Sequence, residues 1–352
     1  MATKGKQNDP PMATLDRINP PRGSRGPNGS RLAIIGLLVV IGVLLAVIFR
    51  PVKLDVYKTI DEVEFADAAL AACVRANATE HGWQDVGHIV SLRCNHPTGE
   101  RVVHLDGIEH LVSLTDVNLA FNAIVDITPL ANLPQLVVVD LSHNHLADVP
   151  VMRAADRLER LELNYNQFES LDWLETQRFL VLRSLSTAHN NIASLEPLAA
   201  VPHLRELNVR NNRIDDIAPL FSLTELELVD IGSNAVSSAE GIGALAGLQR
   251  LFLDRNRLNS TSGLESLAWL EELDLSNNPL EDISGLSELQ RLQRLDLSQT
   301  AIRDLTGILA LGDIEVLRLN GNPGLGCDDI AAAKREFGAA AIRHDLDCDA
   351  GS

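Results

Sequence analysis

Residues 204–220 read LRELNVRNNRIDDIAPL. Apolar side chains stand at Leu204, Leu207 and Val209, an asparagine follows at Asn212, and apolar side chains return at Ile214, Ile217 and Leu220. Steps of 22 residues in either direction meet the same pattern. The asparagine recurs at Asn122, Asn144, Asn166, Asn190, Asn212, Asn234, Asn256, Asn278 and Asn322, with Thr300 as the only substitute. One step, from Asn166 to Asn190, is 24 residues long. Ten copies in one register identify a repeat protein, and the repeat decides the fold.

One copy explains itself physically. Leu207 and Val209 alternate with period two, so both face one side of a short strand while Glu206, Asn208 and Arg210 face the other. Asn212 closes the strand, and its amide can both donate to and accept from backbone groups the turn leaves unpaired. Stacked copies are expected to line these amides up as an interior ladder. Ile214, Ile217 and Leu220 return the chain to a core that only neighbouring copies can bury. This pattern, with its N-x-I-x-D-I-x-P-L return, resembles the leucine-rich repeat family in its 22-residue, internalin-like class. The resemblance covers about three quarters of the chain and implies an α/β repeat solenoid. Such a solenoid is a horseshoe with a parallel concave sheet and short turns or 3₁₀ pieces on the convex side. Proline at Pro129, Pro197 and Pro219, and glycine at Gly241, Gly263, Gly285 and Gly307, likewise forbid long convex helices. Trp173 and Trp269 fall near these returns and are expected to pack there.

Outward from the repeats (residues 111–322), the chain changes character. Residues 1–31 are rich in Pro, Gly, Ser and Asn and are expected to be a disordered tail. Leu32–Phe49 is a run of 18 uncharged, apolar residues, about 27 Å as a helix and close to a bilayer's hydrocarbon thickness. A cleaved signal peptide is the rival, but its apolar region is about 7–15 residues with a small-x-small exit, whereas this exit reads VIFRPVK. A retained signal anchor is expected, and the six basic residues ahead of it place the amino terminus in the cytoplasm. The linker 50–60 and the repeats would then be periplasmic or extracellular.

The cysteines agree. All four follow the apolar run, at Cys73, Cys94, Cys327 and Cys348. Three connectivities are possible, and the distance between the ends of a long solenoid leaves Cys73–Cys94 and Cys327–Cys348 as the reachable pairs. An oxidising compartment follows. Each pair would staple a cap, 61–110 before the repeats and 323–352 after them. In the first cap, residues 61–80 have helical spacing behind acidic residues, and Ile89–Leu92 and Val102–Leu105 are expected strands. In the second, a helix is expected over Asp328–Phe337.

No catalytic constellation emerges. His143-Asn144-His145 spells a nuclease-like string, but Asn144 is the repeat asparagine and no basic groove accompanies it. No C-x-x-C zinc spacing, phosphate loop or EF-hand glycine occurs, so neither a metal nor a cofactor is expected, and an enzyme is not the expectation. The formal charge is −18 overall and −22 beyond residue 31, because the tail's six basic residues face only two acidic ones. Such acidity excludes a nucleic-acid partner. It serves solubility or favours a protein partner with a basic surface.

The concave face is the surface expected to work. The position before each asparagine reads Phe121, His143, Tyr165 and His189 in four adjacent copies, an aromatic stripe pointing toward solvent or the concave rim. Asp140, Arg160 and Glu162 supply a charged flank. The function this implies is a membrane-anchored, extracytoplasmic protein that binds another protein through its concave face. The alternative is an envelope tether without a specific concave ligand.

Overall fold

The computed structural model describes residues 57–95, 99–312 and 314–348. The tail, the apolar run and most of the linker lie outside the described residues. Among the described residues no helix is long and apolar enough to cross a membrane.

Twelve short strands form one sheet in sequence order. They are β1 Ser91–Arg93, β2 Asp116–Asn118, β3 Val138–Asp140, β4 Arg160–Glu162, β5 Ser184–Ser186, β6 Glu206–Asn208, β7 Leu228–Asp230, β8 Arg250–Phe252, β9 Glu272–Asp274, β10 Arg294–Asp296, β11 Val316–Arg318 and β12 Ile342–Arg343. Every pair is parallel, and equivalent residues of the repeat oppose each other, as Glu206 opposes Leu228 and Leu207 opposes Val229. The middle residue of each three-residue strand points inward, as does Ile342 of β12. Leu207 is fully buried, as are Leu204, Val209, Ile214 and Leu220 around it. Truncating one such leucine removes about 2–5 kcal/mol of packing. This is a leucine-rich-repeat solenoid with short 3₁₀ turns between strands.

The returns are short because their first turn is capped locally. The residue four beyond most of the ladder asparagines accepts a backbone N–H two residues on. Asp126 accepts from Thr128 at 2.8 Å, Asp216 from Ala218 at 2.8 Å and Asp282 from Ser284 at 2.9 Å. Serine does the same at Ser238, for the Glu240 N–H. The Thr128 hydroxyl and then its N–H hold Asp126 below the usual carboxylate range, and the Ser284 N–H and hydroxyl do the same for Asp282. Gly263 follows one such cap at φ 96°, where a Cβ would collide with the Ala239 carbonyl oxygen of the preceding repeat. The two extra residues of the 24-residue copy enter its return between the 3₁₀ segment Asp172–Thr176 and β5, since that segment is no longer than Glu196–Ala200 or Ala218–Ser222. Phe168, Trp173 and Phe179 are buried there, with Trp173 centred 6.0 Å from Phe168 and 6.2 Å from Phe179.

The interior amides form a continuous ladder. Asn212 Nδ2 donates to Val209 and Arg210 carbonyls in its own turn and to Thr187 in the preceding repeat, and its Oδ1 accepts the Ile192 N–H at 2.9 Å. Asn122, Asn144, Asn166, Asn190, Asn234, Asn256, Asn278 and Asn322 donate to the corresponding carbonyls. At the one exception, the Thr300 hydroxyl donates to Leu297 at 3.0 Å and contacts Asn322 Oδ1 at 2.7 Å.

Both caps carry a disulfide, Cys73–Cys94 and Cys327–Cys348. The amino-terminal cap departs from expectation in three places. Its helix, α1, spans Ala68–His81, preceded by a single 3₁₀ turn at Ile60–Glu62, because Asp67 is the N-cap and takes the Ala69 and Leu70 N–H groups. The expected strand at 102–105 is absent. Those residues follow side chains instead, since Asn122 accepts the Val102 N–H and Asp67 accepts those of Val103 and His104. Ile89 and Val90 precede β1 rather than join it. Asn77 of α1 then seals the edge of the sheet, donating to the Arg93 carbonyl and accepting its N–H. The helix of the second cap, α2, spans Cys327–Phe337.

Candidate interaction surface

The strands' outward residues build the floor of the concave face, and many of them are committed to the fold. The third residue of a strand often accepts the N–H two residues on, which ties down the strand's exit. Asp140 accepts from Ser142 at 3.0 Å, Asp230 from Gly232 at 2.9 Å, Asp274 from Ser276 at 2.9 Å and Asp296 from Ser298 at 2.9 Å. Asn208 does the same for Arg210 at 3.1 Å, so its side chain is not simply hydrated, as its outward position suggests. Asp140 is doubly engaged, since its second oxygen accepts from Asn118 Nδ2 at 2.9 Å. Of the charged flank read from the sequence, Asp140 therefore serves structure first.

Arg160 and Glu162 are less committed. They line a concavity of about 590 Å³ over β2–β6, together with Arg183, Arg205, Glu206 and Glu227. Arg160 lies 3.9 Å from Glu162 and 4.0 Å from Glu206, distances that leave each group able to turn toward a partner. Burial, with Asp140 and Glu206 adding repulsion against the pull of Arg160, raises the Glu162 carboxyl above its usual range. The arginines at 183 and 205 were not among the sequence candidates. They stand one residue before their strands, and only the sheet shows that this position borders the same hollow.

The aromatic stripe sits elsewhere than the centre of this face. Phe121, His143, Tyr165 and His189 occupy the turn just past the strands' ends, in left-handed backbone at φ 62°, 56°, 53° and 56°. Each donates its N–H to the next repeat, as Tyr165 does to Ala188 at 2.8 Å. The rings stack face to face, with centroids 4.1, 4.1 and 3.9 Å apart and planes within 14°. Their faces cover one another, so a partner meets ring edges past the ends of the strands. Phe121 is 40% exposed and Tyr165 45%, whereas the two histidines are half-buried. Burial, then Arg210 and His143, lowers the His189 pKa.

Further along, Arg210 makes an unusual reach. Its guanidinium bonds Asp254 at 2.8 and 2.5 Å, two repeats away, and Asp230 at 3.3 Å on the way. Gly232 makes the path possible, because a Cβ there would collide with both Arg210 and Asp254. The Asp254 side chain is 6% exposed and that of Arg210 28%, so a buried carboxylate meets a half-buried guanidinium. The expectation that Trp269 packs like Trp173 fails. Trp269 is 51% exposed, with the Arg291 guanidinium over its ring at 3.7 Å. Among the described residues no cluster of His, Cys, Asp and Glu is arranged to hold a metal ion.

With this geometry in view, known proteins give a consistent comparison. The family profile of two-copy leucine-rich repeats matches residues 246–288, and a single-repeat profile matches 202–217. No curated protein sequence matches the chain. Among solved structures, an internalin (inlF) of Listeria monocytogenes is similar at 25% identity and TM-score 0.66, covering 84% of this chain and 95% of its own. Internalin C2 (inlC2) of the same organism is similar at 27% identity and TM-score 0.50, covering 68% of this chain and 97% of its own. The chain is a leucine-rich repeat protein. Within that family it is internalin-like.

Proposed function

We propose that this protein is a non-enzymatic recognition module that binds another protein through the concave face of its amino-terminal half. It does so outside the cytoplasm, held to a membrane by Leu32–Phe49. The observation that carries the binding surface is the hollow over β2–β6. There Arg160, Glu162, Arg183, Arg205 and Glu206 are exposed or half-exposed, and the Phe121–His189 stack stands past the ends of the same strands. Charged groups of both signs select a partner and steer its approach, and rigid aromatic rings supply contact area at small entropic cost. The anchor rests on the sequence, through the length of the apolar run, the basic residues before it and the four cysteines after it.

Calorimetry with a partner captured by the full chain tests the surface. Tyr165→Ala is expected to weaken binding by about 2 kcal/mol, roughly thirtyfold. Because Tyr165 stacks on both neighbours, some stability is lost too, so the fold is checked by thermal melting in parallel. A large loss at Arg250, Phe252 or Arg255 with Tyr165→Ala unaffected would move the site to the other half. Retention of a partner that no concave substitution weakens would favour the tether.

A further inference from the structure

The stacked rings stand where the strands end. Trp269 stands at the opposite end of the strands, three residues before β9 begins, and it presents a different geometry. Arg291 occupies the same position of the next repeat and covers one face of the indole from 3.7 Å. The same position of the preceding repeat is Gly247. A Cβ there would meet nothing nearer than the Leu226 carbonyl oxygen at 3.9 Å. The second face of the indole therefore looks across a gap one side chain wide, which accounts for an exposure of 51% in so large a ring.

Carboxylates occupy the neighbouring positions of the register. Glu225 bounds it on the side away from Trp269, where it also contacts His203 at 2.8 Å. Two residues on, Glu227, Gln249 and Glu271 form adjacent rungs, since Gln249 N–H donates to the Glu227 carbonyl at 2.9 Å and Glu271 N–H to the Gln249 carbonyl at 2.8 Å. We propose that the gap over Gly247 is a socket for an arginine side chain of a protein partner, whose guanidinium stacks on the free face of Trp269 with Glu225, Glu227 and Glu271 as counter-charges. The face of an indole is its electronegative part and attracts a cation. A planar guanidinium is weakly hydrated and stacks on a ring, whereas an ammonium holds its water more tightly. An anionic group would meet three carboxylates and the negative face of the ring together. Arg291 already makes the same contact on the far face, and Arg205 pairs with Glu227 at 3.1 Å, so the three carboxylates still outnumber these two guanidinium charges. The socket shares only Glu227 with the rim of the hollow over β2–β6 and stands whether or not that hollow binds.

The test is ¹⁹F NMR of the full chain labelled with 5-fluorotryptophan, with the Trp269 signal assigned through Trp269→Phe. N-acetyl-argininamide is the probe, and its neutral isostere N-acetyl-citrullinamide is the comparison. The Trp269 signal is expected to move with the arginine compound, which should bind about two- to fivefold more tightly than the citrulline compound. The signal of buried Trp173 should stay in place. Gly247→Gln fills the gap in ordinary backbone, so it should fold normally and abolish the shift. Equal shifts with both compounds, an unmoved Trp269 signal, or a titration unchanged by Gly247→Gln would each overturn the socket.

Discussion

Two neighbouring columns of residues pass through the same turn and obey different rules. The inner column is asparagine in nine copies of ten, because each amide satisfies backbone groups of two repeats at once. The column one residue earlier reads Phe, His, Tyr, His, Asn, Ser, Arg, Asn, Gln and Gly. Yet all ten of its members share one backbone conformation, at φ 52–72°. Left-handed backbone costs an ordinary residue about 1–2 kcal/mol, so the outer column carries a penalty that asparagine or glycine would reduce. The fold dictates the side chain in one column and only the backbone in the other. Variation is permitted where the side chain leaves the backbone's hydrogen bonds alone, and that is where a partner can be read.

The adjacent pair Asn212 and Asn211 tests this division most directly. Asn212→Ala leaves buried backbone groups unpaired in two repeats and should lower stability by about 1–3 kcal/mol in a urea titration. Asn211→Ala loses only asparagine's tolerance of left-handed backbone and should cost about 1 kcal/mol or less. Equal losses would erase the distinction between the columns.

Thr187 sharpens it from the interior side. It stands where other copies have Leu119, Leu163 or Val209, fully buried, and its hydroxyl has no hydrogen-bond partner among the described residues. Thr187→Val keeps the shape and removes the orphaned group, so stability should rise by about 1 kcal/mol with partner binding unchanged. A loss of stability would mean that the hydroxyl is satisfied in solution.

The smallest effect belongs to the concave face. Since the folded Glu162 carboxyl has a raised pKa, the folded state holds more protons than the unfolded state just above the ordinary value of 4.5. Stability therefore falls as pH rises through that window and stays lower above it. Glu162→Gln should melt slightly higher than the parent at pH 7 and at the same temperature at pH 4. A difference that persists at pH 4 would show a cause other than charge.

The repeat was legible because leucine spacing and the asparagine are set by backbone geometry that every copy shares. The cap helix over Cys327–Phe337 was legible for a similar reason, its acidic start and local spacing. What could not be read depends on partners distant in sequence. The residues at 102–105 look like a strand by composition, but Asp67 and Asn122 take their N–H groups before a strand can. Asp140 looks like a free surface charge until Ser142 and Asn118 are seen to use both its oxygens. Much of the chain's acidity has this origin, with aspartates closing strands and opening 3₁₀ turns, so net charge describes the partner less well than composition suggests. The stripe at 121–189 was legible as a column of rings, whereas their mutual stacking and its lateral position required the turn's left-handed backbone.

The reach of Arg210 across Gly232 to Asp254 has a consequence for how the array comes apart. In a solenoid each repeat touches only its neighbours, so unfolding creeps inward from the ends one coil at a time, and each coil's opening is nearly independent of the next but one. A link between β6 and β8 breaks that independence. Coil seven cannot open without straining a partly buried ion pair that spans it, so the three coils should exchange their amide hydrogens as one unit, a rigid block set between two arms that fray.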